Sequence, residues 1–286
     1  MDQDAWSTQS GYGVRFEWGP TGAGRLAGAV AALVVVDVLS FTTTVSVAVE
    51  RGIRVYPYPW KDDGVREFAA RHGAEPAVGR REVSDRSPWS LSPAALRVAP
   101  FTPRLVLPSP NGSAIAAAAA ERVPVYAACL RNATAVARHL RAEGYGTPAR
   151  PVAVIAAGER WPDGSLRPAV EDLLGAGAVI AALPAAHRSP EAAFAAATAG
   201  VSATSTGLAA AVAASASGRE LTDGGWPQDV AVAVEADAST VVPVLTDGAF
   251  TGIVGPPASW DPPTTDAAEG ATDGATTALA PVVGPR

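Results

Sequence analysis

Cysteine is almost missing from this chain of 286 residues. Cys129 stands alone, which excludes an intramolecular disulfide framework and the cysteine-rich zinc patterns. The histidines His72, His139 and His187 show no metal-ligand spacing and read as solvated surface. Basic clusters are absent, and 22 Lys and Arg face 28 Asp and Glu, so neither nucleic acid nor an anionic membrane is an expected partner. A small polar ligand fits that balance better. The apolar stretch from Leu26 to Leu39 is too short to span a bilayer and carries Asp37, so it reads as a buried strand. The acidic start Met1-Asp2-Gln3-Asp4 gives no support to a secretory signal, and with a lone cysteine the expectation is a cytoplasmic protein. Walker loops, Gly-x-Gly-x-x-Gly turns and Gly-x-Ser-x-Gly elbows do not occur.

What the chain does have is apolar side chain, 48% of its residues, arranged as short Val/Ile runs alternating with Ala-rich stretches of helical length. That alternation predicts an α/β fold, a three-layer α/β/α arrangement of strand-loop-helix units around a mixed or mostly parallel sheet. Strands are expected at 32–36, 53–58, 104–107, 123–127, 152–156 and 230–234. Helices are expected at 43–51, 113–122, 133–143, 169–183, 190–199 and 202–217. Residues 11–255 form the expected domain. The first ten residues and the Pro/Thr/Gly/Asp-rich tail 256–286 lack the apolar content to order themselves.

Three junctions repeat one design, in which an apolar strand runs through a small polar loop into an Ala-rich helix: Asp37 to Thr44, Ser109 to Ser113, and Ala128 to Thr134. Helix N-termini favour anions through their free N–H groups and dipole, and in open α/β sheets ligands bind beyond the strand C-termini. A fourth junction, from Ala157-Gly158-Glu159 to Glu171-Asp172, adds carboxylates.

Each loop has two readings. Asp37, directly after Val34-Val35-Val36, is either a magnesium ligand or an Asx turn or cap for the helix that follows. Thr42-Thr43-Thr44 offers more hydroxyls than one helix cap needs, which points toward ligand contact. Ser109-Pro110-Asn111-Gly112-Ser113 reads as a tight turn with Ser113 as cap, and Asn132 reads as the cap of the helix after it. Glu171 and Asp172, neighbours on a helix, point about 100° apart and cannot face the same point: either one reaches a metal while the other is solvated or caps, or both simply suit the dipole at the helix start. Cys129, beside Arg131, is either an activated thiol or an inert buried one.

Taken together, Val35-Val36-Asp37-Val38-Leu39-Ser40-Phe41-Thr42-Thr43-Thr44, Ser109-Pro110-Asn111-Gly112-Ser113, Asn132-Ala133 and Glu171-Asp172-Leu173-Leu174-Gly175-Ala176-Gly177 resemble the 2-phosphosulfolactate phosphatase family. The likeness continues through Ser217 to Leu221 and Val241 to Gly248, covering 31–255. The resemblance implies Mg2+-dependent hydrolysis of 2-phosphosulfolactate to 3-sulfolactate and phosphate, a step of coenzyme M biosynthesis. It also implies Asp37, Glu171 and Asp172 as metal-binding and catalytic carboxylates, with Thr42, Thr43, Asn111, Gly112, Ser113 and Asn132 lining the pocket.

Two positions depart from the family's pattern. Ser40 stands where the family has Arg, and Arg80 follows Gly79 where the family has Glu, so the anion-binding charge is expected to have moved to Arg80 or Arg81, with Ser40 still at the pocket. A related phosphorylated hydroxy acid is therefore also an expected substrate. The alternative is a binding protein for a phosphorylated or sulfonated metabolite that does not hydrolyse it. A homodimer is left open as the assembly.

Overall fold

A computed structural model describes residues 6–59, 62, 64–205 and 207–254, so the tail expected at 256–286 and the first five residues lie outside them. Residues 6–10 form a turn in which the buried Gln9 side chain donates to the Phe16 carbonyl at 2.7 Å and accepts from its N–H at 3.1 Å. Among the described residues no helix is long and apolar enough to cross a membrane.

The strands are β1 Val14–Trp18, β2 Ala32–Val36, β3 Arg54–Tyr58, β4 Glu75–Pro76, β5 Arg104–Pro108, β6 Val125–Ala128, β7 Val152–Ala156, β8 Glu159–Arg160, β9 Leu166–Arg167, β10 Val241–Thr246 and β11 Ala249–Val254. The helices are α1 Gly19–Leu26, α2 Phe41–Glu50, α3 Gly64–His72, α4 Pro93–Val98, α5 Gly112–Ala119, α6 Ala133–Ala142, α7 Val170–Ala181, α8 Pro190–Ser205, α9 Leu208–Ala214, α10 Ala216–Asp223 and α11 Pro227–Ala233. The expected α/β class holds. One sheet of nine strands runs in the order β1-β7-β2-β6-β10-β11-β3-β5-β4, and β8 and β9 form a separate ribbon.

Successive residues of β2 face opposite cores, as the two-residue period of a strand requires. Val34 and Val36 pack with Leu140 of α6, Leu174 of α7 and Ala195 of α8. Leu33 and Val35 pack with Leu26 of α1, Val45 of α2 and Ile115 of α5. With helices on both faces, β2 is buried along its whole length, which is why it reads as an unbroken apolar run rather than an alternating one.

Parallel pairing joins β1, β7, β2 and β6, and separately β3, β5 and β4. The antiparallel hairpin β10–β11 lies between these blocks, so they run in opposite directions. On a flat sheet β2 and β5 would be five strand spacings apart, roughly 24 Å at about 4.8 Å per strand. Their ends nevertheless meet, because the sheet curls around α2, which touches β3, β6, β10 and β11 and is buried from Phe41 to Val49.

Two sequence expectations fail here. The run 230–234 is not a strand: α11 covers 230–233 with Val234 as its C-cap, started by Pro227 in its first turn, and Asp229, Val230, Val232 and Ala233 are buried with the spacing of a helix. The single helix expected at 202–217 is interrupted, with Gly207 at φ 77° before α9 and Ser215 accepting from the Gly218 N–H to start α10.

Candidate active site

The turn after β2 is built by its own side chains. The Asp37 carboxylate accepts from the Phe41 N–H at 3.1 Å through Oδ1 and from the Gly112 N–H at 2.8 Å through Oδ2, with the Ser109 hydroxyl at 3.5 Å. Asp37 thus folds its own loop and ties the end of β2 to the start of α5. Gly112 is required by this approach: a Cβ there would lie 2.8 Å from Asp37 Oδ2 and would overlap the Phe41 ring.

The three threonines are all engaged by backbone. Thr42 Oγ1 donates to the Asp37 carbonyl and accepts from the Asp37 N–H, Thr43 Oγ1 donates to the Val38 carbonyl, and Thr44 Oγ1 contacts the Ser40 and Leu91 carbonyls. The hydroxyl excess that suggested ligand contact instead closes the turn between strand and helix. All three side chains are fully buried.

Glu171 and Asp172, in the first turn of α7, are both buried, but their roles differ. Asp172 Oδ1 accepts from the Val38 N–H at 2.7 Å and Oδ2 from the Gly158 N–H at 2.8 Å, clamping the β2 loop to the β7 loop. Glu171 has no hydrogen-bond or ion-pair partner among the described residues, yet its charge acts on Asp37, Asp172 and Glu159. Glu159, at the start of β8, accepts from Asn111 Nδ2 at 2.9 Å. Together with Asn111 and Ser165 it lines a cavity of about 250 Å³.

Four carboxylates therefore gather at the joined ends of β2, β5 and β7. Burial, above all, holds the Asp37 carboxyl above its ordinary range, against the opposing bonds from Phe41 and Gly112. Burial and then the charges of Asp37 and Glu171 push Asp172 well up. Burial followed by the Asp37 charge raises Glu159 to about 7. Glu159 was not among the expected catalytic residues. Its signal was its place directly after the Gly158 that ends the β7 apolar run.

The other expected residues sit elsewhere or act structurally. Ser113 is not the helix cap: it lies within α5, and its hydroxyl donates to the Leu107 carbonyl at 3.0 Å. Asn132 precedes α6 without a side-chain capping bond; its amide oxygen accepts from the Cys129 N–H, and its nitrogen reaches the Ala127 and Val241 carbonyls. Cys129 is fully buried and its thiol is pushed up by burial, so the activated-thiol reading fails. His72 and His139 are half-buried against aromatic rings rather than solvated.

Arg80 meets Ser40, as the exchange of residues at these two positions suggested: its NH2 group donates to Ser40 Oγ at 2.7 Å. The same NH2 lies 3.2 Å from the Leu91 carbonyl, and Nε pairs at 2.8 Å with Asp229, whose side chain is fully buried. Asp229 also accepts from the Ser92 hydroxyl and the Ala94 N–H. Arg80 is thus bound into the protein through two of its nitrogens, which does not leave it the open anion clamp expected from the sequence. Asp229, hidden in a helix that the sequence read as a strand, was missed.

Among the described residues no three His, Cys, Asp or Glu side chains converge as a ready metal cage. Magnesium is commonly held by only one or two carboxylates and completed by water and phosphate. The donors here suit that mode: Glu171 has no competing partner among the described residues, and Asp37 Oδ1 keeps a lone pair beyond its bond from the Phe41 N–H, while Oδ2 is shared by Gly112 and Ser109.

The sequence model of a family described as 2-phosphosulpholactate phosphatase matches residues 23–248, which contain every loop of this site. A comparison with curated proteins finds no match. With the match spanning most of its length, the chain belongs to the 2-phosphosulpholactate phosphatase family.

Proposed function

We propose that this protein is a cytoplasmic, magnesium-dependent phosphatase of a small phosphate monoester, with 2-phosphosulfolactate, the compound in the family's name, as the first substrate to test. The observation that carries the reading is the gathering of Asp37, Glu159, Glu171 and Asp172, with no cation paired to Asp37, Glu171 or Asp172 among the described residues. Such a cluster repels itself unless a hard cation or protons neutralise it.

Glu171 and Asp37 would hold the magnesium, which when bound supplies Lewis-acid polarisation of a phosphoryl oxygen. Asp172 acts through position, fixing the Val38 and Gly158 amides and with them the two loops. Asn111 orients Glu159, whose carboxyl titrates near neutrality and so can hold or release a proton at the mouth of the small cavity. The ribbon of β8 and β9 borders this corner, with Leu166 near Gly19 and Gly158.

Phosphate release from 2-phosphosulfolactate, phospholactate and phosphoglycolate, with and without magnesium, tests the proposal. Magnesium-dependent release from at least one is the expected result; none from any of the three overturns it. Binding without hydrolysis is a second reading, favoured by the amide bonds that engage both oxygens of Asp37 and Asp172. Tight binding of 2-phosphosulfolactate without turnover would select it.

A further inference from the structure

On the far side of Ser40 and Ser109 from the carboxylates lies a cleft of about 1010 Å³, at the upper end of the range for small-molecule sites. None of Asp37, Glu159, Glu171 and Asp172 lines it. Arg80 and Pro108 form its wall toward the site, Arg80 through its bond to Ser40 and Pro108 as the neighbour of Ser109. The chemistry of the cleft is different from that of the cluster. Arg66, Arg81 and Arg86 line it, and among the described residues none of the three has a carboxylate partner.

Of the three acids in the same cleft, Glu75 is exposed and two are committed. Glu82 accepts from the Gly79 N–H, and Asp62 accepts from the Tyr58 hydroxyl and the Gly64 N–H. The same cleft is lined by apolar side chains as well. Arg81 lies 5.3 Å from the Trp226 ring centre, and Trp89 and Leu91 continue the surface. A guanidinium within cation–π range of an indole keeps N–H groups available to an oxyanion.

We propose that this cleft binds an organic oxyanion, a carboxylate, sulfonate or phosphate carried on a flat apolar body, at a site separate from the carboxylate cluster. The arginines Arg66, Arg81 and Arg86 take the charge, and Trp226, Trp89 and Leu91 take the body. A bare inorganic anion satisfies only the first of these and binds more weakly. The inference does not depend on the phosphatase reading, because no residue of the cluster takes part.

Calorimetric titration of the full chain with 2-naphthoate, 2-naphthamide and inorganic sulfate tests it. Naphthoate is expected to bind about tenfold tighter than the neutral amide or sulfate, and Arg81→Ala and Arg86→Ala each to weaken it by about tenfold, the scale of one charged hydrogen bond. Both arginines are exposed, so the variants are expected to fold, and circular dichroism checks this. Glu171→Gln is expected to bind naphthoate as the wild type does. The proposal is overturned by no binding of naphthoate at millimolar concentration, by equal binding of amide or sulfate, by wild-type affinity in the Arg81→Ala/Arg86→Ala double variant, or by loss of binding in Glu171→Gln.

Discussion

Asp172 accepts the Val38 N–H at 2.7 Å across 134 positions of sequence, and through its other oxygen it holds Gly158 as well. A side chain at the start of α7 therefore sets the position of the loop that carries Asp37. Asp172→Asn turns one acceptor into a donor facing a backbone N–H. The expected result is a stability loss of about 1–3 kcal/mol in urea unfolding, with turnover down by at least about tenfold.

Glu171 is the contrasting neighbour. It supports no hydrogen bond among the described residues and adds negative charge to the cluster, so Glu171→Gln is expected to leave unfolding stability equal or slightly raised. Magnesium affinity is the property that should fall. The metal concentration for half-maximal phosphate release is expected to rise about tenfold or more, the scale of one charged contact. A stability loss like that of Asp172→Asn would instead place Glu171 in the scaffold.

The raised carboxyl of Glu159 makes stability depend on pH. Its folded value of about 7 lies above the ordinary 4.5, so the folded state binds the proton more tightly. Its contribution is fully present below the unfolded value and is lost as pH rises through about 7, with an upper scale of about 3 kcal/mol. Without magnesium, Glu159→Gln is therefore expected to gain in melting temperature over the wild type between pH 5 and pH 8. An unchanged difference across that interval would contradict it.

Arg80 and Asp229 form a pair in which the acid is fully buried. Arg80→Ala leaves that carboxylate with only the Ser92 hydroxyl and the Ala94 N–H. The expected cost is about 3 kcal/mol in chemical denaturation. Ser40→Ala removes one acceptor from a guanidinium that keeps its ion pair, and is expected to cost only about 1 kcal/mol. Equal effects would mean that the Ser40 bond, rather than the Asp229 pair, holds Arg80.

Local pattern made the parallel core legible. The runs at Ala32–Val36 and Val152–Ala156 coincide with β2 and β7, because a strand covered on both faces must be apolar at every position. Val230 to Val234 misled for the same reason in reverse: a short alternation of Val and Ala suits strand and helix alike, and only the burial of Asp229 against Arg80 and Ser92 selects the helix. The hairpin β10–β11, whose antiparallel insertion reverses the block of β3, β5 and β4, left no sign of its place between β6 and β3.

For the site, the sequence by itself located the strand-end acid at 37 and the small polar loops, which are local features, and pointed to the carboxylates at 171 and 172 through the family resemblance. It also determined family membership, which rests on ordered motifs. Only the tertiary structure decided the division of labour: that the threonines close a turn, that Asp172 clamps while Glu171 stays without a partner among the described residues, that Glu159 joins them, and that Arg80 is tied to Asp229. Each of these depends on which distant groups share a buried space, and in low dielectric a neighbour several ångströms away changes both protonation and hydrogen bonding. That proximity comes from the curl of the sheet around α2, which brings the ends of β2, β5 and β7 together.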